Sequence, residues 1–171
     1  MSVVINGSAG VTTNSGAVYN GIQAGTAVAS TSGTSIDFTS IPSWVKRITV
    51  MFNGVSTSGT SQIQIQLGSG SVVTTGYVCS SWTANTNNNN STAGFLITGA
   101  NLAANAYYGN ALICNQTGNT WVESHVMGGS SSSSCIGGGS LALSGALDRI
   151  RITTANGTDT FDAGSINILY E

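Results

Sequence analysis

Charge is what this sequence has least of. Four lysines and arginines and six aspartates and glutamates serve 171 residues, with a net charge of about −2. No basic run follows the chain, so the counterion-release footprint of a nucleic-acid binder is missing. General acid–base catalysis needs titratable groups whose pKa can be tuned, and they are scarce here, which sets the expectation of a non-enzymatic protein. Histidine occurs once and cysteine three times, at Cys79, Cys114 and Cys135. These are not at metal-ligand spacing, so neither a metal site nor a cofactor is expected, and buried free thiols are the preferred reading. A Cys79–Cys114 pair on neighbouring strands stays open. No run approaches the roughly 18 apolar residues of a membrane helix, so no membrane insertion is expected. The first residues have neither a positive start nor an apolar stretch, so they do not read as a signal peptide. The expectation is a protein made in the cytoplasm that leaves by lysis inside an assembled particle.

Serine, threonine, asparagine, glutamine and 23 glycines supply the polarity, and 40% of the residues are hydrophobic. The length suits one domain with a sizeable core. So little net charge leaves weak colloidal repulsion, and such a chain should self-associate.

Residues 1–23 carry few apolar anchors and read as an extended arm or docking segment. From Ala24 to Glu171, alternating apolar and polar positions recur between turn signals, the pattern of an antiparallel β-sandwich. Gln62-Ile63-Gln64-Ile65-Gln66-Leu67 predicts three glutamines outward and three aliphatics inward. Val72 to Trp82 reads as one longer strand. Thr117-Gly118-Asn119 signals a hairpin, and Asn156-Gly157 a tight turn. Nine to eleven strands without a long amphipathic helix give an all-β, jelly-roll-like fold. The Asn-rich segment 85–92 and the Ser-rich segment 128–134 read as loop tips or oligomer seams. Thr31-Ser-Gly-Thr-Ser recurs from Thr57, which shared turn chemistry explains better than duplication.

Several residues bear on function. Glu123 and His125 project from one face of one strand, as a general base and its orienting carboxylate would. No nucleophile is marked, and a partly exposed strand histidine is the preferred alternative. Asp148, Asp159 and Asp162 offer oxygens to a cation, although Asx-turn hydrogen bonding accounts for them better. Gly137-Gly138-Gly139 lacks the lysine of a phosphate loop and reads as packing or turn glycine. Trp82, Tyr107, Tyr108 and Trp121 lie beside polar loops. They are candidates for contact with glycan or with another subunit; the alternative is that they plug the ends of the sandwich.

Two long strings carry a resemblance. Asp37 to Ser56 reads Asp-Phe-Thr-Ser-Ile-Pro-Ser-Trp-Val-Lys-Arg-Ile-Thr-Val-Met-Phe-Asn-Gly-Val-Ser. This resembles a segment of tail-fibre and related virion proteins of tailed bacteriophages. Leu147 to Glu171 is similar to the C-termini of the same proteins, and Asn119-Thr120-Trp121-Val122 adds a middle anchor. The resemblance implies a β-rich structural module on a virion, usually a homotrimer. It further implies an arm that docks on other virion proteins and a surface that touches host polysaccharide. With about 23 residues ahead of the module, the expectation is a small tail-associated fibre or tip protein. A capsid decoration or head-fibre protein is the alternative.

Overall fold

In the computed structural model, the described residues are 3–6, 10–13, 18–19, 21–84, 88–103, 105–131 and 133–171. Among the described residues seventeen strands run in chain order and no helix occurs. The short ones are β1 (Val3–Asn6), β2 (Gly10–Thr13), β3 (Val18–Tyr19), β4 (Gln23–Ala24) and β5 (Val28–Ala29). Then follow β6 (Ser35–Thr39), β7 (Arg47–Thr57), β8 (Ile63–Ser69), β9 (Ser71–Val72), β10 (Val78–Thr83) and β11 (Asn88–Ser91). The chain closes with β12 (Phe95–Leu96), β13 (Tyr107–Thr117), β14 (Thr120–Gly129), β15 (Ser134–Ala142), β16 (Arg149–Thr154) and β17 (Phe161–Tyr170).

Two antiparallel sheets pack face to face. The larger has the order β11-β10-β15-β14-β13-β7-β17, with β4 and β5 both on the outer edge of β17. The smaller has the order β12-β8-β16-β6, with β9 beside β8. In the segment read as an arm, β1, β2 and β3 pair with one another as a small separate sheet. The side chains of the apolar residues Val11, Val18 and Tyr19 in this segment lie outside the described residues.

Period-2 alternation builds the core. Ile48, Val50 and Phe52 face inward from β7, and Ile63, Ile65 and Leu67 face them from β8. Each alternates with a residue on the opposite side of the pleat, as strand geometry requires. The expected hairpin joins β13 to β14, with Thr117 opposite Thr120 and Gly118 at φ 52°.

Three expectations need correction. Gln64 and Gln66 do point away from the core but are buried; the Gln66 amide donates to Ala93 O at 2.9 Å. The run from Val72 to Trp82 is broken, because the chain crosses between sheets after β9. Gly76 takes φ 82° there, and the Tyr77 hydroxyl accepts from Leu67 N at 2.7 Å and donates to Val73 O at 3.0 Å. In the Asn-rich segment, Asn88–Ser91 is not a loop tip but an edge strand on β10. Positions 85–87 of that segment lie outside the described residues.

Candidate functional site

Strand β14 places Trp121, Glu123, His125 and Met127 on the inner face of the larger sheet. Its neighbour β15 sets Gly139 opposite Glu123 and Gly137 opposite His125. A Cβ on Gly137 would lie 2.5 Å from His125 Cε1 and 2.5 Å from the backbone oxygen of Ser80. The missing side chain is therefore what lets an imidazole occupy the core, the packing role expected of this glycine triplet.

Across that gap, β10 presents Ser81 in register with Gly137. Glu123 Oε1 lies 2.9 Å from His125 Nδ1, and His125 Nε2 lies 3.1 Å from Ser81 Oγ. An ionised carboxylate only accepts, so Nδ1 donates to it; in a neutral ring Nε2 then accepts the Ser81 proton. Burial raises the Glu123 carboxyl above its ordinary range, with the His125 hydrogen bond opposing the shift. Glu123 Oε2 has no hydrogen-bond partner.

Hydroxyl, imidazole and carboxylate stand in the order of an acyl-transfer relay. Sealing decides what this one can do. The side chains of Glu123 and His125 have no solvent exposure, and Ser81 is 1% exposed. A substrate carbonyl has no route to the hydroxyl in this state, so the relay works as a buried polar tie among β10, β14 and the glycines of β15. His125 is thus not the partly exposed strand histidine expected. Ser81 was missed, although its parity with Cys79 and Thr83 along β10 marks it as inward-facing.

The four aromatic candidates divide by the same parity. Tyr107 is 1% exposed and donates its hydroxyl to Ala100 O at 3.0 Å. Trp121 is also buried, and its Nε1 lacks a partner. Both belong to the interior and are not positioned for glycan or subunit contact. Trp82 and Tyr108 lie on the outer face of the larger sheet, half exposed. They are three strand spacings apart across the sheet, about 14 Å, and two residues apart along it. Between them the register lines up Trp82, Ile136 and Val126 in one cross-strand row. Val78 and Val122 stand on the same face. Beside this row lies an open hollow of about 640 Å³ over β10, with Gly138 in its floor and Ser80, Asn90 and Ser140 at its sides. Sequence reasoning missed the valines and the isoleucine, which look like ordinary strand residues until register sets them side by side.

The other candidates resolve locally. Asp159 accepts from Ser61 N at 3.0 Å and Asn156 Nδ2 at 2.7 Å, and these bonds hold its pKa below the ordinary range. Asp162 accepts from the Ser56 hydroxyl, while Asp148 pairs with Arg149. Hydrogen bonds and an ion pair within the protein therefore occupy these carboxylates, with turn bonding at Asp159 alone. No group of three or more metal-ligating side chains gathers among the described residues. The Ser-rich turn is gathered on buried Asn105, whose Oδ1 accepts from Ser130 Oγ, Ser131 N and Ser131 Oγ. All three cysteines are free, and Cys79 and Cys114 lie on opposite faces of the sheet with β15 and β14 between their strands. Comparison with protein-family models, with curated proteins and with solved structures finds no match to this chain.

Proposed function

We propose that this chain is a non-enzymatic structural protein of a tailed-bacteriophage virion, a tail-associated fibre or tip module that contributes to host attachment. The observation that carries the reading is how the resembling strings sit in the fold. Asp37–Ser56 supplies most of β6 and β7, and Leu147–Glu171 supplies β16 and β17. These strands pair with each other in both sheets, β6 on β16 and β7 on β17. The Asp37 carboxylate also takes two bonds from the Arg151 guanidinium, at 2.7 and 2.8 Å. The two long strings thus lie side by side in one continuous part of the sandwich, while the short Asn119–Val122 anchor sits at the start of β14. Two exposed aromatics, Trp82 and Tyr108, the Asn-rich edge strand β11 and the Ser-rich turn lie outside those strings, an arrangement suited to a constant scaffold that displays a changeable surface. Sealing of the only hydroxyl–imidazole–carboxylate set among the described residues adds support for a non-catalytic role.

In this reading the assembled unit is a homotrimer, the N-terminal segment docks on another virion protein, and the turns at one end meet host polysaccharide. The test is adsorption and location. Purified protein should bind the host envelope and reduce phage adsorption, and an antibody against the chain should label the tail. Label over the head would favour a capsid decoration or head-fibre protein. No label on particles, with free protein still binding sugar, would sink the virion reading.

A further inference from the structure

We infer that the outer face of β10, β15, β14 and β13 is the seam between copies of this chain. The inference deepens the self-association in the proposed function by naming the surface that performs it. Ten large hydrophobic side chains are exposed among the described residues, and six of them lie on this face: Val78, Trp82, Tyr108, Val122, Val126 and Ile136. Val78 is 71% exposed and Val126 64%. The largest apolar patch on a protein surface is often a functional contact.

Charge identifies the occupant. These four strands hold one charged residue, Glu123, and it points into the core. The other nine charged side chains of the sequence lie elsewhere in the fold. A partner bearing charges at the contact would have to desolvate them against a face with nothing to pair them. A second copy brings an equally neutral face and no like-charge repulsion. Relief points the same way. The row Trp82–Ile136–Val126 stands as a ridge beside the hollow floored by Gly138. Each copy therefore offers both an apolar ridge and a recess.

The six side chains expose on the order of 500 Å² of apolar surface. The serines, glycines and Asn110 between them bring the face toward the roughly 800 Å² that each partner contributes to a standard stable interface.

The test is sedimentation velocity on the full chain from roughly 1 to 100 µM, the range in which an interface of this size assembles. Wild type should sediment as an oligomer. V126K and I136K, which place an ammonium group in the seam, should sediment as folded monomers with unchanged circular dichroism. The milder V126S should raise the midpoint concentration about ten-fold. L102K, at an exposed apolar position off this face, should assemble like wild type. An oligomer that survives V126K and I136K would overturn the seam while leaving self-association standing. A monomer at every concentration would overturn both. Loss of host binding by V126K with assembly intact would make the face a host contact and also overturn the seam.

Discussion

A single missing carbon decides whether the interior relay can exist. Gly137→Ala places a methyl group against His125 and against a backbone oxygen that cannot rotate away. Overpacking of this kind costs about 1–3 kcal/mol. Gly128 is the matched comparison, since a Cβ there would meet its nearest neighbour at 3.9 Å. Urea unfolding should therefore separate G137A from wild type by that amount while G128A stays within about 0.5 kcal/mol; equal effects would mean that the imidazole has room to spare. Glu123 gives the second prediction at this scale. Burial raises its pKa above the ordinary 4.5, so the folded chain holds that proton more tightly than the unfolded chain does. By linkage its contribution to stability falls as pH rises from about 4.5 through the folded value. Asp159 runs the other way: its folded pKa is lowered, so its contribution is present above the unfolded value and is lost as pH falls. E123Q keeps an acceptor for Nδ1 and removes the charge. Relative to E123Q, wild type should lose stability between pH 4 and pH 7, because the Asp159 contribution cancels in the comparison. A relative gain over that interval would refute the assignment.

Among the strands, alternation told which way each side chain points but not what lies over it. Gln64 shows the difference. Its parity is outward, as the pattern in β8 demands, yet Gly94 approaches so closely that a Cβ there would lie 2.7 Å from Gln64 Oε1. That oxygen is buried without a partner, and its amide reaches Thr154 O only at 3.4 Å. An orphaned acceptor costs about 1–3 kcal/mol, so Q64M should be neutral or stabilising by thermal melt. Thr154 O keeps its bond from Gly157 N, so nothing new is stranded. The register shifts where β17 meets β7 were invisible for another reason. Gly164 has φ 90°, and a Cβ on it would sit 2.4 Å from Gly54 C and O, a contact between residues more than a hundred positions apart. No local pattern encodes that approach. G164A should cost about 3 kcal/mol or more, from the sum of backbone strain and overlap. Repeated letters mislead for the same cause. Gly33 and Gly59 occupy equivalent places in the two Thr-Ser-Gly-Thr-Ser strings, but only Gly33 has a positive φ, while Gly59 packs against the Asp159 carboxylate.

Over the whole molecule, faces were legible from the sequence and neighbours were not. The all-β class and the inward positions of β6, β7, β8, β16 and β17 follow from period 2. The relay and the seam depend on which strand lies beside which, and β10 reaches β15 only across about a third of the chain. Trp82 was visible as a candidate because aromatics draw attention; its companions Ile136 and Val126 acquire meaning only through register. Charge shows the same division. Its scarcity is plain in the composition, but its segregation, with one outer face left bare, appears only once the strands are ordered. That segregation has a measurable consequence. If copies meet through the bare face, assembly is driven by apolar burial, and screening has almost nothing to weaken. Raising NaCl from about 0.05 to 1 M should shift the assembly midpoint less than about three-fold, and sulfate should tighten it by strengthening effective burial. The nearest alternative runs through the rim, where Arg47 pairs with Glu171 at the end of β7 and Lys46 reaches Asn115. An association built on that rim would weaken ten-fold or more over the same range, since long-range attraction between exposed charges is screened within a few ångströms at 1 M. Sedimentation in the two salts therefore distinguishes the bare face from its charged border without altering a residue.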